Sequence, residues 1–228
     1  MEGNILEINT LKNYEELSYV VADIVEYQIE GLPLSRLVLP TGSTPIGLYK
    51  ELANRQLDWS SVMTYNLDVY IMNPNHPQSY QTFMKKNLFN RINIYPSNCN
   101  FPDRNVEVYE QKLKGTPIDL CILGIGTNGH IAFNEPGSKF DSRTRVIELS
   151  EQTIEDNSRF FDSVDDVPKQ AITMGLGTIM ESKKIILMAN GEHKLNILNV
   201  AMNGEVTEDI PASILQNHDN VKVFYCDW

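Results

Sequence analysis

The sequence is poor in basic residues, in cysteine and in long apolar runs. Nineteen Lys and Arg stand against 30 Asp and Glu, a formal net charge of −11 at pH 7. A nucleic acid or an anionic membrane needs a basic face, so neither fits as a partner. A small anionic substrate is not excluded, because it needs only a local positive pocket. The three cysteines, Cys99, Cys121 and Cys226, lie far apart and form no CxxC pair. That argues against both a zinc finger and a disulfide framework. Cys121 sits in an apolar run and reads as a buried core thiol. No apolar run approaches the roughly 20 residues needed to span a bilayer. The opening residues MEGNILEINTLKNYEEL carry no basic region followed by an apolar one, so no signal peptide is expected. A soluble, cytoplasmic protein is the expectation. Internal repeats, low-complexity segments and Gly/Ser linkers are also missing.

What is present is an alternation of short apolar runs with helical patterns. Hydrophobic residues make up 42% of the 228, enough for a full core without staples. In LKNYEELSYVVADIVEYQIEG, Leu17, Val20, Val21, Ile24 and Val25 share one helical face. RLVLP (36–40), SVMTYNLD (61–68), IDLCILGIG (118–126), KKIILMA (183–189) and VKVFYC (221–226) read as strands. Residues 45–55, 79–92, 106–115 and 193–204 read as helices. Such alternation predicts an α/β fold: a Rossmann-like open, mostly parallel sheet with helices on both faces, as a single domain over 1–228. Ligands of such sheets sit at the carboxyl ends of the strands. The residues just after the strands therefore carry the functional information.

After RLVLP comes TGSTP. Gly42 permits a tight turn, and Ser43 or Thr44 can cap a helix beginning at Pro45. The loop is either a capped turn or a phosphate cradle at a helix N-terminus. It is not a Walker loop, since no Gly-Lys-Ser/Thr follows. After SVMTYN comes Asp68, at a strand end among apolar neighbours. Desolvation there would raise its pKa and suit it to act as a base; the alternative is a turn aspartate. His76, beside Pro77, reads as a turn residue.

After IDLCIL comes GIGTNGHIAFNEPGS. Gly124, Gly126 and Gly129 match G-x-G-x-x-G, with Glu148 at a suitable distance. A dinucleotide site would need a helix to open here. Instead Pro136 follows seven residues after Gly129, and HIAFNEPG has no helical period. The segment reads as an active-site loop in which His130 and Glu135 can form an acid–base relay, or in which His130 is structural. No HxH, HExxH or carboxylate cluster accompanies it, so no metal is expected. Arg159, in EDNSRFFDS, and Lys194, at the start of a helix, are either solvated charges or anion ligands. At a helix N-terminus the dipole disfavours a cation, which gives the anion reading for Lys194 its interest.

Taken together, LPTGSTPIGLYKEL, YNLDVY, HPQSY, LGIGTNGHIAFNEPGS, SRTR, NSRFF, VPKQAITMGLGTIM and GEHK resemble the glucosamine-6-phosphate deaminase (isomerase) family, in its order and over nearly the whole chain. The resemblance implies conversion of glucosamine 6-phosphate and water to fructose 6-phosphate and ammonia, with no cofactor. It implies Asp68 as the base, His130 as the ring-opening group, and Glu135 and Asn128 as its supports. It places the 6-phosphate on Gly42, Ser43, Thr44, Arg159 and Lys194, under a mobile lid around 142–168. Three departures stand out. Val69 replaces a family Glu, which bears on Asp68, the amine contact or sugar preference. Asn128 stands where some members carry Asp; it can orient but carries no charge. The chain ends at Trp228, short of the extension of hexameric members, and Ile147 replaces a basic effector-site residue near Arg145. These departures imply a monomer or small homo-oligomer without activation by N-acetylglucosamine 6-phosphate. The rival readings are a deaminase or isomerase for galactosamine 6-phosphate or another amino-sugar phosphate, a 6-phosphogluconolactonase, and a non-catalytic sugar-phosphate sensor.

Overall fold

A computed structural model describes residues 4–158 and 161–227. In chain order the strands are β1 (Ile8–Thr10), β2 (Arg36–Leu39), β3 (Met63–Asn66), β4 (Asp68–Tyr70), β5 (Cys99–Asn100), β6 (Leu120–Gly124), β7 (Arg145–Glu148), β8 (Gln170–Thr173), β9 (Ile185–Asn190) and β10 (Val221–Cys226). The α-helices are α1 (Tyr14–Gly31), α2 (Ile46–Asn54), α3 (Tyr80–Asn87), α4 (Val106–Leu113), α5 (Glu151–Ser158), α6 (Leu176–Met180) and α7 (Leu195–Asn203). Seven strands pair in the order β1-β10-β9-β6-β2-β3-β5, every pair parallel. A smaller antiparallel sheet has the order β4-β8-β7.

The continuous apolar runs follow from burial on both faces. Alternate residues point to opposite sides. Leu37, Leu39, Leu120, Ile122, Ile186 and Met188 join one core with α1, α2 and Trp59. Val38, Cys121, Leu123, Ile185, Leu187 and Val223 join the other, with α4 and α7. Cys121 is the buried thiol its setting suggests. Each fully buried Leu, Ile or Val contributes about 1.5–3 kcal/mol relative to exposure. Helices α1 and α3 start on side-chain caps: Asn13 Oδ1 accepts from Glu16 N at 2.8 Å, and Ser79 Oγ from Thr82 N at 3.1 Å.

The main sheet is open, with its switch point between β2 and β6, where the chain turns from building one side to building the other. No described helix is long and apolar enough to cross a membrane.

Three sequence expectations need correction. SVMTYNLD is not one strand. β3 ends at Asn66, and Asp68 opens β4 in the other sheet, paired with Thr173. Leu67 makes the transfer: its N–H bonds Leu39 O in the main sheet at 3.4 Å, and its carbonyl accepts from Met174 N at 2.7 Å. The helix of 79–92 stops at Asn87 and continues as a 3-10 turn, Phe89–Arg91. The helix of 193–204 begins at Leu195, after a 3-10 turn over Glu192–Lys194.

Candidate active site

A cavity of about 460 Å³ lies at the carboxyl ends of β2, β3, β6 and β9. It brings together Gly42, Ser43, Thr44, Asp68, His130 and Lys194. Asn128 and Glu135 stand behind His130 and reach it by hydrogen bonding and charge. Arg159 lies outside the described residues.

The 41–45 loop departs from the capped-turn reading. Neither Ser43 nor Thr44 caps α2. Thr44 Oγ1 donates instead to Asn190 Oδ1, at the end of β9, at 2.7 Å. The Tyr14 hydroxyl, from α1, takes over the cap: it accepts from Gly47 N at 2.8 Å and donates to Thr44 O at 2.9 Å. Gly42 holds φ +95°, a conformation that side chains disfavour, and so turns the loop over the cavity. Lys194 caps the backbone of α7 rather than lying within it, and its Nζ donates to Ile125 O at 2.9 Å. The ammonium thus crosses from β9 to the loop after β6.

Asp68 is 7% exposed. Burial alone pushes its carboxyl up to about 7, with no donor among the described residues stabilising the charged form against it. Val69, on the opposite side of β4, is buried and is not part of the cavity wall. Tyr80 and Phe133 flank the site, their rings stacked 6.1 Å apart.

The loop after β6 is shaped around an imidazole. A Cβ on Gly126 would fall 2.2–2.4 Å from three atoms of the His130 ring. The middle glycine of the motif that resembles a dinucleotide turn therefore makes room for His130, while Gly129 is set by its φ of +84° and by Ile210. Gly126 N bonds His130 O at 2.9 Å, closing the loop on itself. Asn128 Nδ2 donates to Glu135 Oε2 at 2.8 Å, which turns its Oδ1 toward His130 Nδ1, also at 2.8 Å. Oδ1 is an acceptor, so Nδ1 carries the proton and Nε2 is left for proton transfer. Glu135 Oε2 lies 3.6 Å from Nδ1. Burial would raise the Glu135 carboxyl, but His130, Thr153 and Asn128 outweigh it and hold it at about 2.

One buried amide ties the loop after β6 to the segment that carries Asp68. Asn134 is 0% exposed; its Nδ2 donates to Ile131 O at 3.0 Å and to Met174 O at 2.8 Å. Met174 N in turn holds Leu67 O, one residue before Asp68. Arg145, on β7, completes Asn134 by donating to its Oδ1 at 2.8 Å. The turn it clamps contains Ala132 at φ +52°, a strained position that such contacts sustain. Sequence reading missed Asn134, Thr153, Asn157, Tyr80 and Phe133. Asn157 lies four residues after Thr153 on α5, and both face the cavity. Among the described residues no group of three His, Cys, Asp or Glu is placed to hold a metal ion.

The model for glucosamine-6-phosphate isomerases/6-phosphogluconolactonase matches residues 13–224. A protein of Clostridium botulinum (strain Kyoto / Type A2), named glucosamine-6-phosphate deaminase, is 48% identical over 231 aligned positions, covering 96% of this chain and 95% of its own. One of the same name from Thermoanaerobacter pseudethanolicus is 46% identical over 224, covering 92% and 88%. The solved structure of a monomeric glucosamine-6-phosphate deaminase superposes with a TM-score of 0.93 at 39% identity, covering 97% of each chain. A 6-phosphogluconolactonase from Shewanella baltica shares the fold, with a TM-score of 0.77 at 20% identity, covering 98% of this chain and 100% of its own.

Proposed function

The chain belongs to the family of glucosamine-6-phosphate isomerases and 6-phosphogluconolactonases, and on that premise we propose that it converts glucosamine 6-phosphate and water to fructose 6-phosphate and ammonia. The observation that carries this reading is the pairing of Asp68 and His130 across one cavity. Asp68 is a buried carboxyl poised near neutrality. His130 offers Nε2 while its Nδ1 proton is fixed.

The roles follow from the order of the chemistry. His130 Nε2 moves the proton of the anomeric hydroxyl to the ring oxygen and opens the sugar. Asp68 removes the proton from C2, giving a cis-enolamine, and returns it to C1. Water then adds at C2, and ammonia leaves as the ketone forms. Positioned acid–base groups of this kind typically contribute about 10²–10⁴-fold. Gly42, Ser43, Thr44, Lys194 and Arg159 are assigned to the 6-phosphate, whose binding positions C1 and C2 for proton transfer. The 142–168 segment is assigned as a lid that excludes water; α5 forming part of the cavity wall supports this. Asp68 favours this reading over lactone hydrolysis, which has no use for a C2 base.

The protein is proposed to work in the cytoplasm as a monomer or small homo-oligomer; the likeness to a monomeric deaminase supports the smaller assembly. The test is ammonia release from glucosamine 6-phosphate, with galactosamine 6-phosphate measured in parallel. Turnover of the first is expected. Turnover of only the second would reassign the substrate, and silence with both would remove the activity.

A further inference from the structure

The Glu135 carboxylate divides its two oxygens between two parts of the molecule. Oε2 faces the loop after β6, taking Asn128 Nδ2 at 2.8 Å and standing 3.6 Å from His130 Nδ1. Oε1 takes the hydroxyl of Thr153, in the first turn of α5, at 2.5 Å. Thr153 is 5% exposed and 18 residues away in sequence. Among the described residues, Thr153 Oγ1 is paired with Glu135 Oε1 and Ser150 Oγ. Ser150 Oγ donates to Thr153 Oγ1 at 3.0 Å and accepts from Thr153 N at 3.1 Å. A hydroxyl has one proton and two acceptor sites. With Ser150 occupying an acceptor site, the Thr153 proton points to Glu135. The result is a chain from Ser150 through Thr153, Glu135 and Asn128 to His130, running from the roof of the cavity to its acid–base centre.

We propose that Thr153 is a positioning residue: its hydroxyl locks the Glu135 carboxylate in the orientation that holds His130, so that the relay is complete only while α5 sits over the cavity. A bond to a charged acceptor is stronger than one between neutral groups. Without the hydroxyl, Oε1 of the half-buried carboxylate loses its partner, and the carboxylate is free to turn away from Asn128 and His130. Thr153 touches no reacting atom in this scheme. Asn157, on the same face of α5, lines the cavity and marks that face as its roof. The donors to Glu135, Thr153 among them, are what hold its charge against burial.

The kinetic part of this inference rests on the proposed deaminase reading; the link from Thr153 to Glu135 does not. The test therefore has two arms, each with the full chain as wild type, Thr153→Val and Thr153→Ser. Valine keeps the shape and loses the hydroxyl, whereas serine keeps the hydroxyl and loses the methyl group. In the first arm, the Glu135 carboxyl is followed by carbon NMR as pH falls, without substrate. In the valine variant its midpoint should rise from about 2 toward the ordinary carboxylate range, and in the serine variant it should stay low. In the second arm, kcat for ammonia release should fall about tenfold in the valine variant at unchanged KM, with serine recovering most of it. An unmoved Glu135 titration in the valine variant overturns the link. So does a serine variant as impaired as the valine one, since the methyl group and not the hydroxyl would then matter. An undiminished kcat in the valine variant overturns the positioning role. If wild type releases no ammonia from either amino-sugar phosphate, the deaminase reading fails, and the titration alone decides the link.

Discussion

Asp68, in the cavity wall, and Glu135, behind His130, are pushed in opposite directions. Asp68 rises to about 7 because burial acts on it unopposed. Glu135 is also burdened by burial, yet sits at about 2 because His130, Thr153 and Asn128 all favour its charged form. The difference lies in the backbone that delivers each acid. Asp68 arrives at the crossing between two sheets, where main-chain groups are consumed by ladder bonds and Leu67 is held on both sides. Glu135 arrives in a turn where three side chains converge on it. One acid is thereby suited to exchange protons near neutrality, and the other to remain charged and steer a histidine.

The largest effect should come from removing the mobile proton. Asp68→Asn should cut C2 proton exchange by about 10³-fold or more while phosphate affinity stays largely intact; isotope exchange at C2 measures it. Retained exchange would remove Asp68 as the base.

The same substitution should reveal what the raised pKa costs the fold. The folded-state carboxyl binds its proton more tightly than the ordinary value of 3.8 allows. Stability is therefore full below pH 3.8 and is lost as pH rises toward about 7. A shift of this size corresponds to a destabilisation of roughly 4 kcal/mol above that window. Asp68→Asn should raise the melting temperature at pH 8 and change it little at pH 4. Glu135 has the opposite sign: its contribution is present above 4.5 and is lost as pH falls toward about 2. Glu135→Gln should lower the melting temperature at pH 7 and matter less in acid. It should also lower kcat by about 10²-fold by loosening His130. Equal pH responses for the two variants would erase the contrast between the acids.

How far this contrast was legible in the sequence differs between its two halves. The interior of the main sheet was readable, because strands buried on both faces are unbroken apolar runs, as in Leu120–Gly124 and Ile185–Asn190; its two short edge strands, Ile8–Thr10 and Cys99–Asn100, were not. Asp68 and His130 could be singled out because each follows such a run. The second sheet was not readable. Its strands β4, β7 and β8 are three or four residues long, and QAIT and RVIE carry no distinctive period. Without that sheet, the raising of Asp68 could be inferred only from its apolar neighbours. The support of Glu135 by Thr153 spans 18 residues and depends on where α5 packs, which no local pattern encodes. Asn134 was hidden for the same reason: its partners, Ile131 O and Met174 O, are backbone atoms from separate segments. Of the three glycines Gly124, Gly126 and Gly129, Gly126 is constrained by the His130 ring and Gly129 by its φ of +84° and by Ile210, while Gly124 has open space, so the match to a dinucleotide turn was not one constraint.

The smallest effect should arise at the far end of the cavity. Lys194 reaches Ile125 O at 2.9 Å and shares the cavity with the 41–45 loop, the segment proposed to hold the phosphate. With the 41–45 loop still holding the phosphate and so C1 and C2, loss of this one contact should fall mainly on KM. Lys194→Ala should raise KM for glucosamine 6-phosphate about tenfold, the loss expected of one charge-assisted contact. It should also leave the acid limb of the kcat profile in place. Burial is the cause of the rise of Asp68, with no contribution from Lys194, so removing that cation should not move it. A fall in kcat together with a shifted acid limb would show that the ammonium acts on Asp68 as well as on phosphate. The contrast between the two acids would then come from charge across the whole cavity, rather than from burial at one and hydrogen bonds at the other.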